Sequence, residues 1–475
     1  MTSDDFDLIV LGLGPGGEQV AARMAKAGWR VLGIDAGLVG GECPYYGCIP
    51  SKMILRGAEL LAESRRVDGV AGHATVTANF TPVADRIRDE ATDDWDDAVA
   101  VQRFEKGGGT FARGIGRLTG RDGQGHLQVE VDGRTYRSRR VVIATGTAPA
   151  VPPIEGLAEL RASRDGGAAS DGSVWTNREA VKARTAPSSL MVLGGGAIGC
   201  ELAQGFARFG SRVSLVEAAP RLLMSEEPEA SETIAAVFSR EGIQVRLGVG
   251  AQQVSAGGDG VLVELADGST LTGAKLLVAA GRHPNLDDIG LQSVALDPSA
   301  RSLDVDDHMQ VQADGAPIDG LYSVGDITGR GAFTHVAIWQ AQVLIAHLLG
   351  QPEPFGGYHG LAWATYTDPE VGRVGMSEQQ ACDAGLRVRI GTQQIASNSR
   401  GWIHGPGNDG LVKVVEDADR GVLVGATVVG PYGGELLGLL TLAVHAAVPT
   451  STLVTMHYAF PTLHRAVLEA VQALG

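Results

Sequence analysis

The stretch "FDLIVLGLGPGGEQVAARMAKAGWRVLGIDAG" (residues 6–37) decides the fold. A short apolar run, Leu8 to Leu11, leads into Gly12, Gly14 and Gly17. Apolar residues then recur at helical spacing, with Val20, Ala21, Met24 and Ala25 on one face. A second apolar run, Val31 to Ile34, ends at Asp35. This predicts a strand–turn–helix–strand unit carrying the dinucleotide-binding fingerprint. The glycines permit a tight turn, let a pyrophosphate approach the backbone, and bring the helix against the sheet. The helix N-terminus then faces the phosphates with its positive dipole end. Asp35, 23 residues after Gly12, is placed to accept hydrogen bonds from a ribose.

The pattern returns in "SLMVLGGGAIGCELAQGFARFGSRVSLVEAA" (189–219). Gly194, Gly196 and Gly199 follow the apolar run Leu190 to Leu193, and Glu217 again stands 23 residues after the first glycine. One such turn arises easily by chance. Two with matched strand, helix and terminal acid imply two dinucleotide cofactors. The carboxylate of Glu217 argues for NAD(H) at the second site, because it repels a 2′-phosphate. Arg221 lies four residues beyond and would soften that exclusion, which leaves NADP(H) open.

The rest of the chain bounds the reading. At 475 residues it exceeds one core, and 44% hydrophobic with 20% charged residues suits a soluble globular protein. A formal charge of −16 argues against nucleic acid and anionic membrane surfaces as partners. The opening "MTSDDFDLIV" lacks the basic region of a signal peptide, and "ELLGLLTLAVHAAV" (435–448) is too short to span a bilayer. A cytoplasmic protein with few cysteines is expected.

Half of the four cysteines lie in "GGECPYYGCIPSK" (40–52). Cys43 and Cys48 are five apart, too far to bridge in an ideal helix, but Gly41, Pro44 and Gly47 make a distorted turn plausible. A thiolate at a helix start gains from the dipole and becomes a better nucleophile. The alternatives are a zinc half-site or two packed thiols. Zinc needs two further ligands, and only the lone Cys200 and Cys382 remain, so no metal is expected here.

This segment resembles the redox-active segment of the flavoprotein disulfide reductases, the family of dihydrolipoamide dehydrogenase, glutathione reductase and mercuric reductase. "RVVIATG" (140–146), "KLLVAAGRHPN" (275–285) and "GLYSVGDITG" (320–329) resemble its later cofactor motifs, and "YTDPEVGRVGMSE" (366–378) the start of its dimerisation domain. The resemblance implies FAD at the first fingerprint and the nicotinamide cofactor at the second. It implies cofactor-binding roles for Thr145, Gly146 and Arg282, and places Asp326 on the FAD ribitol chain. Cys48 matches the thiol against the flavin and Cys43 the interchange thiol that meets substrate. Lys52 matches the lysine near the flavin N5, and Glu201 the acid that pairs with it.

The C-terminus departs from the family pattern of His-Pro-Thr/Ala-x-x-Glu. The chain reads "AFPTLHR" (459–465), with Phe460 at the His position and Arg465 at the Glu position. Disulfide exchange needs a proton shuttle, which phenylalanine cannot provide. His464 and His457 are the candidates to replace it, His464 in the first turn of a last helix capped by Thr462. Leu463, Val467, Ala470 and Leu474 would form that helix's packed face. At Phe460 the chain resembles 2-ketopropyl-coenzyme M oxidoreductase/carboxylase in part. Its ending, "AVQALG", lacks the cysteine pair of mercuric reductases.

The expected fold is α/β, with two Rossmann-like dinucleotide-binding domains and a C-terminal α+β dimerisation domain. Expected boundaries are 1–155 and 280–350 for the FAD domain, 156–279 for the NAD(P) domain and 351–475 for the interface domain. An acidic amphipathic helix over 88–104 and an exposed loop over 161–173 complete the expectation. The implied protein is a homodimer with its active site at the interface. It passes electrons from NADH through FAD to a Cys43–Cys48 disulfide and on to a small thiol or disulfide. The alternatives are a quinone-type acceptor, a thioether-cleaving carboxylase, or a decayed cofactor-binding protein.

Overall fold

The computed structural model describes residues 4–162, 172–258, 260–354 and 356–474. It divides into two compact units, one of residues 1–50, 86–150 and 282–355, the other of 51–85, 151–281 and 356–475.

Unit one is built on a six-stranded sheet in the order Gln310–Ala313, Ala316–Ser323, Val141–Ile143, Leu8–Leu11, Val31–Asp35, Thr110–Arg113. Its pairs are parallel except at the Gln310–Ala313 edge. Leu8–Leu11 is buried on both faces, which is why it reads as an unbroken apolar run rather than an alternating one. The helix Pro15–Lys26 buries Val20, Ala21, Met24 and Ala25, the face expected from their spacing. The helix Thr334–Leu348 packs so near it that a Cβ on Gly16 would lie 3.0 Å from the Ala337 carbonyl oxygen.

The single helix expected over 88–104 is not formed. A π-turn, Ile87–Ala91, is followed by Asp93, Asp94 and Trp95 with positive φ, and a new helix spans Ala98–Lys106. Tertiary bonds override the helical pattern. Trp95 Nε1 donates to the Tyr45 carbonyl (3.0 Å), and the buried Asp97 carboxylate accepts from Val39 N–H (2.7 Å) and Arg113 (2.6 Å).

Unit two contains a five-stranded parallel sheet ordered Val174–Trp175, Lys275–Val278, Ser189–Leu193, Arg212–Glu217, Gln244–Leu247. The loop expected over 161–173 falls largely on 163–171, outside the described residues, and Arg161 and Ala162 end the helix Leu157–Ala162. A five-stranded antiparallel sheet follows, ordered Ala362–Thr365, Glu370–Gly375, Val422–Gly430, Leu411–Asp417, Val388–Gln394. The helices Gly433–His445 and His464–Gln472 close its core with Leu436, Leu440, Val467 and Ala470. Among the described residues no helix is long and apolar enough to cross a membrane.

Candidate active site

The two glycine turns are built alike. Gly12 (φ +91°) and Gly194 (φ +110°) take a backbone conformation that L-residues avoid. Their added Cβ atoms would lie 2.3 Å from Ala144 O and 2.4 Å from Ala279 O. Likewise a Cβ on Gly17 would lie 2.0 Å from Gly12 O, and one on Gly199 1.9 Å from Gly194 O. These four glycines bring backbone against backbone. Gly14 and Gly196 differ: a Cβ there would meet nothing within 4 Å. They hold open the space before a helix whose N-cap offers no side-chain hydrogen bond, where a phosphate can accept from the first N–H groups.

The terminal acids match as well. Asp35 accepts from Leu13 N–H (2.6 Å) and Gly37 N–H (2.7 Å), and Glu217 from Gly195 N–H (2.6 Å) and Ala219 N–H (2.7 Å). Each carboxylate thus ties the residue after the first glycine to its own strand end. Burial raises the Asp35 carboxyl above its ordinary pKa, against the opposing pull of those two N–H groups. Arg221, expected to soften the exclusion of a 2′-phosphate, is turned elsewhere. Its guanidinium donates to the Leu223 and Met224 carbonyls and to Ser231 Oγ.

The later motifs of unit one meet in one network. Thr147 Oγ1 donates to Asp326 Oδ2 (2.7 Å), and Arg282 donates to Thr147 Oγ1 (3.0 Å) and Thr147 O (2.7 Å). Arg282 also faces Glu42 at 3.4 Å, beside Cys43. Asn285 reaches back to Thr145 O (2.9 Å) and, through its N–H, to Gly146 O (2.9 Å). Thr145 Oγ1 is buried without a protein partner, the kind of orphaned group a bound cofactor satisfies. With the open face at Gly14 and the carboxylate of Asp326, the residues of unit one fit FAD. Gln340, which sequence reading missed, fixes the Gly-Asp turn by accepting from Gly325 N–H (2.7 Å) and donating to Thr328 Oγ1 (3.0 Å). Nothing in its local sequence marks it, because the partner turn is 15 residues away.

Between the cysteines the chain breaks as the glycines and proline suggest. A one-turn helix, Glu42–Tyr45, stops at Tyr46, and Cys48 opens a second helix, Cys48–Arg65. The two side chains are free thiols, Cys43 half-buried and Cys48 exposed. A hydrogen bond to Cys48, and then burial, pushes the Cys43 thiol well above its ordinary pKa. Thr334 Oγ1, at the start of a unit-one helix, lies 3.7 Å from Cys48 Sγ. Tyr45 turns inward and is buried.

Lys52 stands one turn beyond Cys48 on the same helix, hence on the same side. Its ammonium binds Glu201 Oε2 at 2.8 Å, while Glu201 Oε1 accepts from Tyr366 N–H at 2.8 Å. Lys52 Nζ also sits 4.6 Å from the centre of the Tyr366 ring. Both oxygens of the buried carboxylate are thus engaged, which fixes the lysine in place. Lys52 and Tyr366 line a cavity of about 190 Å³ whose other walls include Arg56, Glu59, Arg66 and Asp368.

At the C-terminus Thr462 does not cap the last helix. Its hydroxyl donates to Ala459 O, and Leu463 holds the N-cap position of His464–Gln472. His464 is the first helical residue and is exposed, as is His457. Phe460 is 69% exposed, and the Arg465 guanidinium lies 5.4 Å from its ring centre. Val467, Ala470 and Leu474 are buried, and Leu463 packs against them, as their spacing predicts.

Comparison with known proteins identifies the family and the fold. The pyridine nucleotide-disulphide oxidoreductase family matches residues 6–341, and that family's dimerisation domain matches residues 361–471. Relatives include the dihydrolipoyl dehydrogenases of Thermus scotoductus (32% identical, over 99% of this chain and 97% of the relative) and Chlorobaculum tepidum (33%, over 99% and 98%). Among solved structures, LpdA from Mycobacterium tuberculosis superposes with a TM-score of 0.82 at 24% identity, covering 98% of this chain and 99% of that one. The HOCl-induced flavoprotein disulfide reductase RclA from Escherichia coli gives 0.79 at 23%, covering 98% of each. At such identities the structural likeness speaks for the fold.

Proposed function

Because the chain belongs to the pyridine nucleotide-disulphide oxidoreductases, FAD-dependent enzymes that use NAD(H), we propose that it oxidises NADH and delivers the electron pair through Cys43 and Cys48 to a thiol/disulfide-type substrate. The net reaction takes NADH, one proton and a disulfide to NAD⁺ and two thiols. The observation that carries this reading is the pair of free thiols Cys43 and Cys48, set across a helix break with Cys48 opening the helix Cys48–Arg65.

FAD, when bound, supplies hydride acceptance from the nicotinamide and two-electron transfer to the disulfide. Gly12, Gly14, Gly17, Asp35, Thr145, Gly146, Asp326 and Arg282 hold or frame it. Gly194, Gly196, Gly199 and Glu217 hold the nicotinamide dinucleotide. Arg221's engagement with carbonyls leaves Glu217 unopposed and favours NADH over NADPH. Cys48 is the thiol on the cofactor side, and Cys43 attacks and releases the substrate sulfur. Lys52, anchored by Glu201, stands one turn from Cys48 near the flavin. The chain is divided as an FAD domain, 1–155 and 280–350, an NAD domain, 156–279, and an interface domain from 351. A homodimer completes the site, with Phe460 and His464 contributed across the interface. A cytoplasmic location suits a cysteine pair that is returned to the dithiol at each turnover.

The relatives' name makes a lipoyl disulfide the first substrate to assay. Phe460 and Arg465 favour a second reading, an acceptor such as a quinone that needs no histidine acid. The two separate in one experiment: exposed thiols are blocked in the oxidised enzyme, NADH is added anaerobically, and new thiols are counted. Two new thiols per chain, absent in Cys48→Ser, are expected. Consumption of NADH with no new thiols would sink the disulfide route and leave the quinone reading in its place.

A further inference from the structure

A second group of reactive side chains lies in unit one, away from every residue assigned above. His308 precedes the strand Gln310–Ala313, His347 occupies the last turn of the helix Thr334–Leu348, and Glu353 follows that helix. The Glu353 carboxylate meets both rings, with Oε2 2.6 Å from His308 Nδ1 and Oε1 3.1 Å from His347 Nδ1. The imidazoles stack with centres 4.7 Å apart and planes 25° apart. We propose that His308 Nδ1, His347 Nδ1 and the Glu353 carboxylate form a binding site for a divalent transition-metal ion of the zinc class.

The three side chains are close enough to converge on one ion once the two rings turn out of their stack. All three donor atoms lie within 4.8 Å of one another. Ligand bonds of about 2.0–2.2 Å place tetrahedral donors roughly 3.3–3.6 Å apart, so the carboxylate retreats by under about 1 Å while the rings rotate to bring their Nδ1 atoms onto the ion. Two imidazole nitrogens and one carboxylate oxygen suit zinc, nickel or copper. Magnesium and calcium prefer all-oxygen shells. A metal ion takes both imidazoles as neutral ligands.

The surroundings favour a cation. The helix C-terminus at His347 presents its negative dipole end, and Asp306 and Asp307 add negative charge around His308. The donors are also held in place. Asp306 Oδ1 accepts from the backbone N–H groups of His308 and Gln310, both at 2.9 Å, and the His347 ring lies 6.0 Å from that of Tyr322. Thr334, beside Cys48, starts the same helix thirteen residues before His347, about 20 Å away at 1.5 Å per residue. The ion therefore takes no part in thiol chemistry. It pins Glu353 to the helix and to the sheet edge just before the chain leaves unit one.

The test uses the FAD-loaded Cys43→Ser/Cys48→Ser protein, which removes zinc binding by the redox thiols. After chelator treatment, calorimetric titration with Zn²⁺ in excess Mg²⁺ should give one zinc per chain. His308→Ala and His347→Gln should each weaken that binding about ten-fold or more. No zinc binding, or binding undiminished in both variants, overturns the proposal. Should a variant fail to fold, zinc-soaked crystals of the parent decide: anomalous density between the three side chains supports the site, and none there overturns it.

Discussion

Phe460 places a ring with no exchangeable proton where the family motif carries a histidine. The Arg465 guanidinium, 5.4 Å from the ring centre, stands where that motif carries the glutamate. The two positions still touch each other, but a cation–π contact replaces a hydrogen bond. The pair keeps its place and loses its proton. Restoring it by Phe460→His with Arg465→Glu should raise turnover of small disulfides, by about ten-fold or more if general acid catalysis was what was missing. Steady-state rates with a lipoyl amide check this, and unchanged turnover would leave Phe460 without that role. The departure itself was legible in the sequence, while the stacking was not. Arg221 shows the same limit, since four residues of separation from Glu217 suggested proximity. The chain turns at Ala219, and the guanidinium ends on carbonyls farther along.

At the scale of the element, the glycines of one turn do two different jobs, and substitution should separate them. A methyl on Gly199 would sit 1.9 Å from Gly194 O, so Gly199→Ala forces strand and helix apart and should cost about 1–3 kcal/mol of stability. Denaturant unfolding measures it. A methyl on Gly196 meets nothing within 4 Å, so Gly196→Ala should leave stability nearly unchanged while raising the KM for NADH several-fold. Equal loss of stability in both variants would refute this division of roles. Both turns were legible because a strand, three glycines, a helix and an acid are consecutive. The 88–104 segment was not, because its helical pattern is interrupted by the buried Asp97 and by Trp95, whose partners Val39 and Tyr45 lie far back in the chain. The break between Cys43 and Cys48 could be anticipated, since a glycine and a proline act locally. The Gly-Asp turn depends on Gln340, which only the folded chain brings to it.

For the whole molecule, the dimerisation domain and the large exposed face of Phe460 argue that the chain works as a pair. Sedimentation equilibrium of the FAD-loaded protein should give twice the chain mass at micromolar concentration. A monomer that retains full NADH-dependent activity would refute an active site shared between subunits. The sequence by itself determined the two dinucleotide units and the close cysteine pair, because each rests on residues close in the chain whose spacing carries the chemistry. The Lys52 and Glu201 pair, 149 residues apart, came only from the resemblance to the family. It also marked Phe460 as a departure. Only the tertiary structure decided which turn glycines are crowded and which are open, where Arg221 points, and how Arg282 joins Thr147 to Glu42. It alone brought His308 and His347 onto the one carboxylate of Glu353. The contacts of Arg282 with Glu42 and of His308 with Glu353 join segments distant in sequence, where spacing along the chain carries no information about distance in space, and the direction of the Arg221 side chain is set by the local turn rather than by spacing.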